Sequence, residues 1–266
     1  MIAALVRQGF GAQRRSAQWW TLGIVVLAVL NAAFWPTLEG TEALSDLERS
    51  LSPELQKAFG AENLGTEAGY LDGQVYALLL PALLSGVAIA GATALTAGDE
   101  GAGRLELLQA LPVSRQALWT SRFGSVLLVL AAVTTAVAGV VVASLYVFSL
   151  SEAGVGPVLA ATAACATLAG FHAAAAYTAG GFGLHRGTAV GIGVFVLLAG
   201  YVVNFLFPLS EALGGAQRLS PWYWAIGDQP VTNGVSIWSN LFLGGVAVVL
   251  VALGTLAAAR RDVRGA

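Results

Sequence analysis

The chain has 266 residues, of which 57% are hydrophobic and 11% charged, with a net charge of −2 and a mean hydropathy of +0.75. A soluble domain carries about 25% charged residues. This balance therefore excludes an ordinary soluble core and predicts a polytopic helical membrane protein, each span needing about 20 apolar residues.

In chain order, residues 1–18 come first. Arg7, Arg14 and Arg15 alternate with Ile2, Leu5, Val6 and Phe10, and Trp19 and Trp20 follow. This pattern predicts an amphipathic helix in the inner membrane interface, with the tryptophans at headgroup depth. A basic start before an apolar run at 21–35 mimics a signal peptide, but no clean small-x-small cleavage site follows. The run is therefore expected to stay as the first of six spans, at 20–35, 74–97, 118–146, 155–179, 188–207 and 237–258, within one domain covering 1–266.

The cations set the expected orientation. With residues 1–18 inside, the inner segments hold Arg7, Arg14, Arg15, Arg104, Arg115, Arg122, Arg186, Arg260, Arg261 and Arg264, which are ten of the 13 cations. The outer segments hold only Arg49, Lys57 and Arg218. Inner loops carry the excess of arginine and lysine, so both termini are expected in the cytoplasm.

The outer loop at 37–73 is acidic, with Glu39, Glu42, Asp46, Glu48, Glu54, Glu62, Glu67 and Asp72 spread along it. A helix is expected after Ser52, with serine as N-cap, Pro53 at the first helical position and Gly60 just past the end. Leu44, Leu47, Leu51 and Leu55 would give an apolar face. The second outer loop, 208–236, carries Trp222, Tyr223 and Trp224, which fit anchoring in the outer interface.

Between the second and third spans lies "GDEGAGRLELLQALPVSR", residues 98–115. Asp99 and Glu100 suit a helix N-terminus, where the dipole favours acids. Glu100 and Arg104 are spaced for an i, i+4 pair. Leu105, Leu107, Leu108 and Leu111 make a broad apolar face, with Glu106 and Gln109 opposite. Pro112 ends the helix and Ser114 caps the next. A mere turn needs fewer residues. Lipid-surface helices carry basic polar faces, and this one carries Glu106, so a groove on a cytosolic partner is the better-fitting dock.

The segment "DEGAGRLELLQALPVSR" resembles the coupling helix of ABC-2 type transporter permeases, with its acidic pair, glycine and "LELL…LPVSR". Residues 52–60 with 69–84, and "SPWYWAIGDQPVTNG" at 220–234, resemble that family's first outer loop with second span, and the stretch before its last span. Gly101, Ala102 and Gly103 loosen the family's usual acidic run, and Gln109 replaces an aliphatic residue. The resemblance implies an all-α fold of type V exporter-like architecture: six spans, an N-terminal interfacial helix and a cytoplasmic coupling helix. It implies a permease subunit in a plasma (inner) membrane, paired with a second permease half as homo- or heterodimer. A separate cytosolic ABC ATPase would dock on Asp99, Glu100, Gly101, Gly103, Arg104, Leu105, Glu106, Leu107, Leu108, Pro112 and Arg115.

The chain has no G-x-x-x-x-G-K-[ST] phosphate loop, so ATP and magnesium are expected on that partner subunit and no cofactor on this chain. No nucleic-acid partner is expected. Cys165 is the sole cysteine, which excludes an internal disulfide and a cysteine metal site. Polar groups in the spans are few: Asn31, His172, Tyr177 and Asn204. No acid or base marks a span centre, which argues against an ion-driven pump. His172 reads as a helix–helix hydrogen bond before a proton carrier. No H-E-x-x-H or G-x-S-x-G motif marks a membrane enzyme.

Span 5 opens with Gly187 and Gly191, spaced for close helix approach, either within the subunit or at a dimer seam. Tyr201, Asn204 and Phe205 follow as an apolar lining with one polar point, suited to an amphipathic, lipid-like or drug-like solute. The expected function is thus a permease subunit coupling ATP hydrolysis elsewhere to export. A non-transporting sensor or scaffold component, and a membrane-embedded enzyme, remain as alternatives.

Overall fold

A computed structural model describes residues 2–39, 43–52, 55–56, 63–110, 112–210 and 212–261. The described residues are helical with no strand. Six helices are long and apolar enough to cross a membrane, at the six positions expected.

Helix α1 (Ile2–Leu38) runs 37 residues unbroken, about 55 Å at 1.5 Å per residue. The expected interfacial helix is thus the first half of the same rod as span 1. No glycine or proline lies between Gln13 and Thr21 to bend it. This half also packs on the bundle: the Ser125 hydroxyl donates to the Val6 carbonyl at 3.0 Å. Gly9 admits that approach, since a methyl there would sit 2.4 Å from Ser125 Oγ.

Helix α2 (Ala43–Ser50) precedes Ser52, whose hydroxyl accepts the Leu55 N–H at 3.4 Å, as an N-cap would. Residues 53–54 and 57–60 of the helix expected there, including Gly60, lie outside the described residues. Of its leucine face, Leu47 and Leu55 are exposed and Leu51 is half-buried.

Helix α3 (Glu67–Gly101) forms the second span. It contains two wide π-type turns, Asp72–Tyr76 and Ala94–Gly98. Short helix α4 (Arg104–Gln109) leads to α5 (Arg115–Val147), whose N-terminus Ser114 caps by accepting the Ala117 N–H at 3.2 Å. Then come α6 (Val155–Gly181), α7 (Arg186–Leu206), α8 (Pro221–Ala225) and α9 (Ile237–Arg260).

The centre of the bundle is α6, packed on α3, α5, α7 and α9. Its side chains explain why. Ala161, Ala164, Cys165, Ala169, Ala173 and Ala176 are buried and small, so neighbouring backbones come close and gain dispersion contacts that lipid cannot supply. The closest approach is at its end, where a methyl on Gly181 would lie 2.3 Å from the Gly254 carbonyl oxygen. Hydroxyls then tie the spans: Tyr76 to Thr162 and Tyr177 to Thr255, both at 2.8 Å. The Thr178 hydroxyl donates to the Leu250 carbonyl at 2.7 Å.

At the opposite end, Asp72 is buried and holds the chain before α9. Its carboxylate accepts N–H bonds from Val231 and Thr232 and the Thr232 hydroxyl, at 2.8, 2.9 and 2.8 Å. The aromatic cluster departs from expectation. Trp222 is fully buried, and its indole donates to the Leu197 carbonyl at 3.1 Å. Helix α8 can sink against α7 because Gly200 lacks a side chain; a methyl there would meet Pro221 and Trp222 at 3.0 Å. Trp222 is therefore a core residue, not an interfacial anchor.

Candidate functional site

The segment singled out in the sequence lies at one end of the bundle, between α3 and α5. Asp99 and Glu100 do not begin its helix. They form the last turn of α3, and the chain turns at Ala102 and Gly103 before α4. The reason is local: nothing breaks the helix from Leu79 onward until Gly103, whose φ of +68° favours glycine. Glu100 and Arg104 consequently lie on two different helices. The acids also sit at the negative end of a helix dipole, which disfavours them. Cations must compensate, and three do.

Asp99 accepts from Arg122 Nη1 at 2.6 Å and from Arg104 Nε at 2.7 Å. Arg122 also donates to the Leu95 carbonyl in the wide turn of α3. Glu100 is gripped by Arg261 through two parallel bonds of 2.6 and 2.5 Å. Such two-point guanidinium–carboxylate pairs are stronger and more directional than single bonds. Arg261 reaches further: its Nε donates to the Gly181 carbonyl at 2.8 Å and its Nη2 to Gly180 at 3.2 Å. Its guanidinium lies 5.9 Å from the Trp119 ring centre. Its own carbonyl accepts from Arg115 Nη1 at 2.8 Å. One pair of acids at the foot of α3 thereby fastens α3 to α5, α6 and the end of α9.

Above this foot stands α4. Leu105 is fully buried and Leu108 half-buried, while Leu107 is 75% exposed and Glu106 is exposed. Leu108 faces a small cavity of ≈ 40 Å³ that Leu5, Gln8 and Gly9 of α1 also line. The leucine face is therefore split: two leucines seat the helix, and Leu107 points away from the bundle. Gly101 and Pro112 are exposed, and Leu111 lies outside the described residues. Arg104, whose side chain is 62% exposed, is turned back onto Asp99.

The span 5 candidates fall into two groups. Gly187 and Gly191 are exposed, with nothing within 4 Å of a methyl built there. Among the described residues nothing packs at these two positions, unlike Gly193, where a methyl would meet Ile89 and Ala176 at 3.1 Å. Tyr201 and Phe205 stack at 4.6 Å and both meet Trp222. Asn204 is buried, and its backbone carbonyl accepts from Gln217 at 3.0 Å. These three hold the segment 214–225 against α7.

His172 is fully buried beside Ser85 on α3, at 2.9 Å. The Ser85 hydroxyl donates to the Pro81 carbonyl at 2.7 Å, so Nδ1–H of His172 is the donor to Ser85. The helix–helix bond expected of His172 is thus present. Its Nε2 has no partner among the described residues.

Two residues central to this end were not singled out from the sequence, Arg122 and Arg261. Both counted only toward orientation. Arg122 carried a signal, being the one cation inside the expected span 118–146, and charges within spans mark function or pairing. Arg261 looked like part of a basic tail, and nothing local links it to Glu100, 161 positions away.

No curated protein matches the chain. A family model does match it, that of the multidrug efflux system permease Rv1217c, C-terminal domain, over residues 9–258. The match takes in all six spanning helices, the acids at the foot of α3, and α4. A chain matched over nearly its whole length, with the spans of a permease, belongs to this family of multidrug efflux permease domains.

Proposed function

We propose that the chain is one permease half of an ABC-2 type exporter. A second permease half completes the pathway, and a cytosolic ABC ATPase that carries ATP and magnesium docks on α4. Both termini lie in the cytoplasm and the membrane is the plasma (inner) membrane. The cargo is an amphipathic or drug-like molecule, in keeping with the efflux system that names the family.

The observation that carries this reading is the form of α4. It is a six-residue helix, seated by Leu105 and Leu108 but offering Leu107 and Glu106 outward. An exposed leucine beside an acid, on a helix rooted in the bundle, suits an apolar pocket in a cytosolic protein. Force applied there has a defined route. Arg104 ties α4 to Asp99, Asp99 to Arg122 on α5, and Glu100 to Arg261 at the end of α9. When ATP draws two ATPase subunits together, the two α4 helices move with them, and these ion pairs carry the displacement into α3, α5 and α9. The exposed Gly187 and Gly191 on α7 supply a small-residue face for the second half.

The test uses Leu107→Glu, which changes a residue 75% exposed and so leaves the fold intact. Copurification of the ATPase and its stimulated hydrolysis should fall at least ten-fold. Wild-type copurification with this variant would refute docking through α4.

A further inference from the structure

The first half of α1 carries a stripe that the proposed coupling does not use. Gly11, Arg14, Arg15, Gln18, Trp19 and Leu22 line one groove of ≈ 630 Å³. Arg14, Gln18 and Leu22 also line a second groove of ≈ 500 Å³, which continues between α1 and α5 over Val25, Val129 and Val133. The two open grooves therefore adjoin along Arg14, Gln18 and Leu22, one basic and the other apolar.

Helix α1 turns Leu5, Gly9 and Gln13 into the bundle, where all three are buried. Arg14 and Arg15, next to Gln13, are turned outward. Arg104, Arg122 and Arg261, at the same charged end of the bundle, all have carboxylate partners. Arg14 and Arg15 have none among the described residues. Trp19, one turn on from Arg15, is 67% exposed, and Leu22 is 51% exposed. From Trp19 to Leu38 there is no charged residue, so the two guanidinium groups stand one turn outside the apolar run.

We propose that this face of α1 is a binding site for an anionic phospholipid. Arg14 and Arg15 hold the headgroup phosphate, Gln18 adds an amide donor, Trp19 sits beside the glycerol region, and one acyl chain lies in the crevice against Val25, Val129 and Val133. Basic pockets between membrane helices recognise anionic headgroups in this way. A soluble acidic partner would satisfy the arginines but leave Trp19 and the crevice bare. A lipid satisfies both with one molecule, because its charge and its acyl chain are covalently joined. The assignment of this site to the inner leaflet rests on the orientation proposed above; the site itself does not.

The experiment is native mass spectrometry of the purified full chain, titrated with phosphatidylglycerol or phosphatidylcholine. Wild type should retain one phosphatidylglycerol in preference to phosphatidylcholine. The double variant Arg14→Ala, Arg15→Ala should bind it about 30-fold more weakly, given the five- to six-fold that each arginine contributes near an anionic surface. Arg14→Lys with Arg15→Lys should keep most of the affinity. Val25→Trp, which fills the crevice and leaves the charges, should weaken it independently. Equal retention by wild type and the alanine pair, or equal retention of the two lipids, overturns the site. So does disulfide cross-linking between copies through Gln18→Cys in native membranes, which would make this face a subunit contact. Cysteine labelling from either side of sealed vesicles reads orientation separately, so an inverted topology would move the site to the other leaflet without abolishing retention.

Discussion

Asp99 offers a controlled comparison, because it holds two guanidinium groups at nearly the same distance. Arg122 contacts it at 2.6 Å and Arg104 at 2.7 Å, but the Arg122 side chain is 7% exposed and that of Arg104 is 62% exposed. Distance alone would make the two partners equal. Burial makes them unequal. Arg122→Met keeps the apolar stem and removes the charge, leaving Asp99, itself 11% exposed, with one solvated partner and leaving the Leu95 carbonyl without its donor. Stranding one member of a buried pair costs about 3–5 kcal/mol. Arg104→Ala removes an exposed pair worth about 0–1 kcal/mol. Equilibrium unfolding in mixed detergent–SDS micelles, followed by tryptophan fluorescence, should separate the variants by about thirty-fold or more in unfolding constant. Adding Asp99→Asn to Arg122→Met should recover part of the loss, since no stranded charge remains. Equal losses for Arg104→Ala and Arg122→Met, or a double variant as unstable as the sum of its parts, would refute the view that burial governs this cluster.

Three further outcomes follow from the packing. Gly181→Ala places a methyl 2.3 Å from the Gly254 carbonyl oxygen; separating the two backbones should cost about 1–3 kcal/mol, visible in the same unfolding assay. Asp72→Ala leaves the buried Val231 N–H unmatched, at a cost of about 1–3 kcal/mol, and frees the more exposed Thr232 N–H, so hydrogen exchange at both amides should quicken before any other region responds. Gly187→Ala with Gly191→Ala adds methyls that meet nothing within 4 Å among the described residues, so stability should be unchanged while cross-linking of the proposed permease halves through α7 weakens; unchanged cross-linking would remove these glycines from the proposed seam.

The six spans were legible because a membrane helix announces itself in a single stretch, and the foot of α3 was not, because its logic spans the chain. Ser114 illustrates the legible kind: a cap is decided by a residue and the amide three places on, and the structure has that bond. The acidic pair at 99–100 illustrates the other kind. Local rules place two acids at the start of a helix, where the dipole welcomes them. They lie instead at the end of one, because Gly103 supplies the first backbone break and Arg122 and Arg261 supply the charge that the dipole withholds. Arg261 comes from 161 residues away, so no window on the sequence contains both halves of the pair. The same holds for Trp222, which reads as an interfacial aromatic until Gly200 is known to open a slot for it.

That distance is also the mechanical argument. A segment meant only to reverse the chain would bond to its own neighbours. This one is bonded to α5 through Arg122, to the end of α9 through Arg261, and through the same guanidinium to the last carbonyls of α6. The wide turn at Ala94–Gly98 places the Leu95 carbonyl where Arg122 can take it, so an irregularity that weakens α3 as a rod strengthens its junction with α5. A displacement of α4 can be absorbed at the Gly101–Gly103 turn or passed through the ion pairs. With Asp99 buried, Glu100 mostly covered and each matched to a guanidinium, yielding at the ion pairs leaves charge unpaired, which costs more than moving the helices together. The bundle end therefore behaves as one body under small loads. Exchanging Glu100 and Arg261 for each other would preserve the pair but remove the Arg261 bonds to the Gly180 and Gly181 carbonyls, of which Gly180 keeps the Gly183 N–H at 2.9 Å. That swap should keep α3 joined to α9 while freeing α6, and distance measurements between spin labels on α4 and α6 should broaden; an unbroadened distribution would mean that α6 is held by packing at Gly181 and Gly254 alone.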